Sequence, residues 1–166
     1  LVSYLSMRSM QEKYKKITGF DGYKQVISVI NKAVNIGLNI KINVVLTERT
    51  TMEDIQKFID YMKDHKICIR FIEQMPLGNK KTTIALTRNE IRKNLKDQGI
   101  RFHKTEQRMG NGPAIYETME GYEGMIGWIE ALHGKFCDTC NRIRMTSTGG
   151  IKPCLYYEEA GNLRDL

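Results

Sequence analysis

Apolar positions recur along this chain with two alternating periods. Val26, Ile27, Ile30, Ala33 and Val34 fall at helical spacing and predict a helix from about Gly22 to Ile36. Asp21 is placed to cap its start and Gly37 to end it. Ile40 to Leu46 is β-branched and alternating, which predicts a strand with Lys41 and Asn43 on one face. Met52, Ile55, Phe58, Ile59 and Met62 form the stripe of a second helix, from about Met52 to His65. Thr50 with Glu53 resembles a capping box at its start. Ile67 to Glu73 is a nearly unbroken apolar run, as in a strand buried on both faces. Arg70 inside that run calls for a partner, and Cys68 reads as a buried small hydrophobe. Thr87 and Glu90 form a capping box for a third helix, about Arg88 to Lys96. Arg101 to Met125, with Gly110, Gly112 and Pro113, reads as irregular β structure. Leu1 to Leu5 reads as a further strand.

Strand, helix, strand, helix at this pitch means β/α units and a parallel sheet, so the fold class is α/β. A full eight-unit barrel takes about 250 residues, and about two and a half units fit here, so an incomplete barrel is expected. The pattern breaks near Pro76, Leu77, Gly78 and Asn79, which divides the chain into residues 1–76 and 77–166. In a barrel alternate strand residues face the lumen, where Lys41 and Asn43 would be functional and not merely solvated.

Composition narrows the class little: 41% apolar and 27% charged is ordinary for a globular domain. No apolar run of about 18 residues occurs, so no membrane partner is expected. Four cysteines with one isolated do not make a disulfide framework and suit a reducing cytoplasm. A net charge of +7 favours anionic ligands without choosing among them.

The chemistry concentrates in one stretch. Cys137, Cys140 and Cys154 have the spacing C-x2-C-x13-C, and Gly149-Gly150 turns the chain back towards the first pair. Three thiolates leave three readings open. One is an iron–sulfur cluster with an open iron, another a zinc site completed by His133, and the third a redox or disulfide pair. Arg142 and Arg144 alternate with Ile143 and Met145, placing both guanidiniums on one strand face beside the cysteines. The planar fork of arginine suits phosphate or carboxylate oxygens.

The run FCDTCNRIRMTSTGGIKPCL resembles the C-terminal cluster motif of the GTP 3′,8-cyclases, radical S-adenosylmethionine enzymes of molybdenum cofactor biosynthesis. Ile17-Thr18-Gly19, Lys41 to Val45, Arg70 to Met75 and Gly161 to Leu166 are similar to other segments of that family. The resemblance implies the C-terminal part of an incomplete (β/α)6 TIM-like barrel, followed by a cluster-binding α+β extension. It implies that Cys137, Cys140 and Cys154 hold a [4Fe-4S] cluster whose open iron takes the guanine of GTP. Lys41, Arg70, Arg142 and Arg144 would then bind GTP, and Asn43, Met75 and Ser3 would contact S-adenosylmethionine. The family's lyase reaction converts GTP to 3′,8-cyclo-7,8-dihydro-GTP, using S-adenosylmethionine and a second [4Fe-4S] cluster. The motif of that second cluster, C-x3-C-x2-C, does not occur in these residues, nor does the family's glycine-rich tail. A C-terminal portion inactive by itself is therefore expected, from a full-length protein that the resemblance allows to be a homodimer. The rival is a zinc-stabilised nucleic-acid-binding module. Its basic residues would be interleaved with aromatics, and here they are not, so no nucleic acid partner is expected.

Overall fold

A computed structural model describes residues 8–75, 86–107, 109–134, 140, 142–154 and 158–165. Among the described residues four α-helices and eight strands follow in the order α1 (Arg8–Thr18), α2 (Tyr23–Asn35), β1 (Ile40–Leu46), α3 (Met52–Lys63), β2 (Ile67–Glu73), α4 (Arg88–Asp97), β3 (Phe102–Lys104), β4 (Ile115–Met119), β5 (Met125–Ile129), β6 (Arg144–Met145), β7 (Gly150–Lys152) and β8 (Gly161–Asn162). The fold is α/β. The expected strand at Leu1 to Leu5 lies outside the described residues.

The first five strands form one sheet in the order β1-β2-β5-β4-β3. β1, β2 and β5 are parallel, while β4 and β3 add antiparallel strands. Because β2 pairs with β5, this sheet runs across the division expected at residue 76. The other three strands form a small antiparallel sheet in the order β6-β7-β8.

Alternation along the strands sends two sets of side chains to opposite faces. Ile42, Val44 and Leu46 of β1, Ile69 and Phe71 of β2, and Ile126 and Trp128 of β5 are buried in one core. Ile55, Phe58, Ile59 and Met62 of α3 and Ile91 and Leu95 of α4 complete it. Those helix positions recur at three or four residues, so each helix lays one stripe on the sheet. Phe71 packs against both Phe58 and Trp128, with ring centroids 6.3 and 5.4 Å away.

Both α2 and α4 end alike. The N–H groups of Gly37 and Leu38 bond the carbonyls of Val34 and Ala33, and those of Gly99 and Ile100 bond Lys96 and Leu95. This double closure needs a left-handed residue, and glycine supplies it at φ 77° and 88°.

The caps at the helix starts depart from expectation in two places. The box on α3 is formed by Thr51 and Asp54, one residue beyond the Thr50–Glu53 pair. Glu53 instead pairs with Lys57 on the helix surface, and Thr50 is buried, its hydroxyl accepting from the Thr47 N–H. Asp21 does not cap α2, whose N-cap is Gly22. The Asp21 carboxylate accepts from the Gln11 side chain of α1. Helix α1, which the apolar pattern does not announce, docks through Tyr14 on Tyr23 and through Lys13 on Asp54. The Thr87–Glu90 box stands as expected.

Lys13 donates to both Asp54 oxygens at 2.8 Å. Burial alone would raise the Asp54 carboxyl, but Lys13 and the N–H and hydroxyl of Thr51 outweigh it and hold it below its ordinary value. A depressed native pKa stabilises the fold above the unfolded value, about 3.9, and that stability is lost as pH falls through the native value. The melting temperature of the chain is therefore expected to fall more steeply below about pH 4 than that of Asp54→Asn. Parallel slopes for the two would contradict this role.

Candidate functional site

The sheet face turned away from the helices carries a row of residues across four strands. Pairing aligns Asn43 of β1 with Arg70 of β2, Arg70 with Gly127 of β5, and Gly127 with Tyr116 of β4. Arg70 Nε donates to Asn43 Oδ1 at 2.7 Å, which supplies the partner its strand position demands. The fit depends on Gly127. A Cβ there would lie 2.8 Å from Arg70 Cγ and 3.0 Å from the Tyr116 ring, so only glycine leaves the stem its slot. Among the described residues the two terminal nitrogens of Arg70 have no hydrogen-bond partner, so four of its five N–H donors remain available.

Lys41, two residues before Asn43, donates from Nζ to the Met109 carbonyl at 2.7 Å. The Tyr116 hydroxyl reaches the same carbonyl at 3.5 Å. Met109 begins a glycine-rich turn that passes close to Lys41 and Arg142. A Cβ on Gly110 would lie 3.5 Å from Lys41 Nζ, and one on Gly112 would lie 3.2 Å from Arg142 Nη2. Lys41, Arg70 and Arg142, far apart in sequence, are thus linked through Tyr116 and the 109–112 turn.

Arg144 lies on β6, paired with Lys152 of β7. Arg142 precedes β6, so the two arginines do not share a strand as the alternation suggested; β6 is only Arg144–Met145. Both are exposed. The Arg144–Lys152 pairing sets Cys140 four residues before one strand end and Cys154 two residues past the other, on adjoining ends of one hairpin. Cys140 is exposed and Cys154 half-buried. Among the described residues no three of His, Cys, Asp and Glu gather into a metal-holding group. Cys137, which such a set needs, lies outside the described residues, as does Ser3. Met75 is half-buried two residues past β2.

The described donors, Cys140 and Cys154, are of the chemical kind that a thiolate-held group takes. Cys140 is accessible and the hairpin carries Cys154 back towards it. Burial pushes the Cys68 thiol up to about 11, against the weaker pull of Arg70 and Lys41. It is buried within β2, as its apolar surroundings suggested. His133 is oriented by Glu73, with Nδ1 2.7 Å from a Glu73 oxygen.

Tyr116, Gly127 and the Met109–Gly112 turn have no counterpart among the residues singled out by motif. Strands β4 and β5 were read as irregular or not at all, so nothing in the sequence placed these residues beside Arg70. Gly110 and Gly112 were visible only as breaks in pattern.

The model of the family described as Molybdenum Cofactor Synthesis C matches residues 67–166. The chain belongs to this family. It is 38% identical over 159 residues to the GTP 3′,8-cyclase of Lactiplantibacillus plantarum, covering 92% of this chain and 47% of that protein. It is 38% identical over 161 residues to that of Limosilactobacillus fermentum, with coverage of 93% and 48%. The Clostridium perfringens enzyme is 35% identical over 155 residues, again with 93% and 48%. The chain therefore spans about half the length of these curated relatives. The matched region of the family takes in β2, the sheet strands β3 to β5 and the whole cysteine hairpin. No helix among the described residues is long and apolar enough to cross a membrane.

Proposed function

We propose that this chain supplies the substrate side of a GTP 3′,8-cyclase. Its β/α units, residues 1–76, would belong to an incomplete barrel and residues 77–166 to the extension that carries the cluster. The observation that carries this reading is the convergence of Lys41, Arg70 and Arg142 beside the cysteine hairpin, in a chain of the Molybdenum Cofactor Synthesis C family.

Cys137, Cys140 and Cys154 would hold the [4Fe-4S] cluster. Such a cluster, when bound, supplies one iron with an open position that can accept an electron pair from a purine. The work of the chain's own residues is to bind and orient. Arg70, Arg142 and Arg144 offer forked donors to phosphate oxygens, and Lys41 a compact charge. Lys41 now rests on a neutral carbonyl, so a phosphate oxygen at the same distance would be a stronger partner. Holding the triphosphate at one end and the base at the other fixes the ribose between them, and positioning of that kind can supply much of a rate enhancement. Met75 and Ser3 would face S-adenosylmethionine in the complete enzyme. Asn43 has a second task that its geometry supports directly, the orientation of Arg70.

The test is retention of nucleotide by the chain after anaerobic loading with iron and sulfide. GTP is expected to be held in preference to ATP, and Lys41→Ala to weaken it. Equal retention of GTP and ATP would count against the cluster as the reader of guanine. A salt-sensitive affinity for RNA of any sequence would instead favour a zinc-stabilised nucleic-acid module.

A further inference from the structure

Glu73 closes β2 and is 2% exposed, yet no motif or strand pattern assigns it a task. Its carboxylate accepts three hydrogen bonds from one short segment about sixty residues away in sequence. Oε2 takes the backbone N–H groups of Leu132 at 2.9 Å and His133 at 3.1 Å. Oε1 lies 2.7 Å from His133 Nδ1. A carboxylate removed from water needs such compensation, and among the described residues it comes from the segment that leads into the cysteine motif. Leu132 and His133 stand five and four residues before Cys137 in the chain. The end of a parallel strand is also where sheets of this class place their sites.

We infer that Glu73 is the positioning residue of the cysteine motif: it fixes the entry to the Cys137–Cys140 run on the rigid sheet and so sets how firmly that run holds its metal. The inference rests on the cluster reading above. Its physical content is pre-organisation. With residues 132 and 133 tied to β2, the thiolates start from a restrained approach, and less ordering is left to the moment of metal binding. Groups bonded directly to a metal's ligands commonly alter affinity by about ten- to a hundredfold, and Glu73, acting through the 132–133 segment, is expected at the low end of that range.

The experiment compares the wild-type chain with Glu73→Ala, Glu73→Gln and His133→Ala. Each is loaded anaerobically with iron and sulfide, and iron release to a chelator is timed alongside the electron paramagnetic resonance of the reduced cluster. Glu73→Ala is expected to release iron about tenfold faster and to show an altered resonance. Glu73→Gln keeps an acceptor for the two backbone N–H groups and should recover much of the difference. His133→Ala keeps both of those bonds and should release iron only slightly faster. In the metal-free chains, alkylation of Cys140 is measured with the melting temperature as a control for folding. Glu73→Gln and His133→Ala keep the comparison meaningful if Glu73→Ala does not fold. Faster Cys140 alkylation in Glu73→Ala than in wild type, at comparable melting temperature, supports the inference even if wild type takes up no iron. That second result would count against the cluster reading alone. Wild-type iron release and wild-type alkylation in Glu73→Ala would overturn the positioning role.

Discussion

Replacing Glu117 with alanine is expected to destabilise the chain by about 3–5 kcal/mol, the usual cost of stripping one partner from a buried ion pair. Glu117 is 2% exposed and lies on the helix side of β4. Oε2 accepts from Trp128 Nε1 at 2.6 Å, and Oε1 lies 3.1 Å from Arg92 and 3.6 Å from Arg88 of α4. Arg88 also reaches Glu130 at 2.8 Å and stacks over the Trp128 ring, while Arg92 lies over Phe102. One carboxylate thus joins α4 to β4 and β5. Without it, Arg92 has lost its carboxylate and Trp128 its acceptor, whereas Arg88 still has Glu130. Glu117→Gln keeps an acceptor for Trp128 and should cost less than alanine. Urea unfolding measures both. A change under about 1 kcal/mol for Glu117→Ala, the range of exposed pairs, would mean that the network contributes little.

Replacing Arg70 with alanine is expected to weaken GTP binding by about ten- to a hundredfold. That corresponds to the roughly 1.5–3 kcal/mol of a hydrogen bond to a charged group. Asn43→Ala should have a smaller effect, because the guanidinium survives but loses its orientation. Arg70→Lys should behave more like alanine than like wild type. A lysine stem can occupy the slot beside Gly127, but its compact ammonium lacks the planar fork that bonds Asn43 on one side and presents paired donors on the other. Titration calorimetry with GTP on the loaded chain measures all three. Unchanged affinity in Arg70→Ala would remove Arg70 from the phosphate site.

Much of the scaffold was legible because its residues obey one period at a time. β1, β2 and helices α2, α3 and α4 lie within two residues of the expected bounds, since their apolar stripes match the faces they bury. β4 was hidden because Glu117 and Tyr116 are adjacent and both buried, one on each face. A polar residue at a core position erases the alternation that signals a strand. β5 is short and contains Gly127, whose lack of a side chain serves Arg70 and weakens the strand signal. Helix α1 escaped because its docking rests on Lys13 and Tyr14 more than on an apolar stripe.

The candidate site divides in the same way. Arg70 drew notice as a charge within an apolar run, and its need for a partner is met by Asn43, two strand positions from Lys41. The cysteines and arginines of the hairpin were visible as a motif. The groups that link them were not, because a backbone carbonyl such as that of Met109 and an empty position such as Gly127 leave no trace in composition. Glu73 ended a predicted strand, and nothing in the pattern pointed to its three bonds to the 132–133 segment.

The most direct test of the central claim is iron and sulfide content after anaerobic reconstitution, with Cys140→Ala as control. About four irons per chain with matching sulfide, lost in Cys140→Ala, is the result that a three-cysteine cluster predicts. Stoichiometric zinc that iron cannot replace would contradict it.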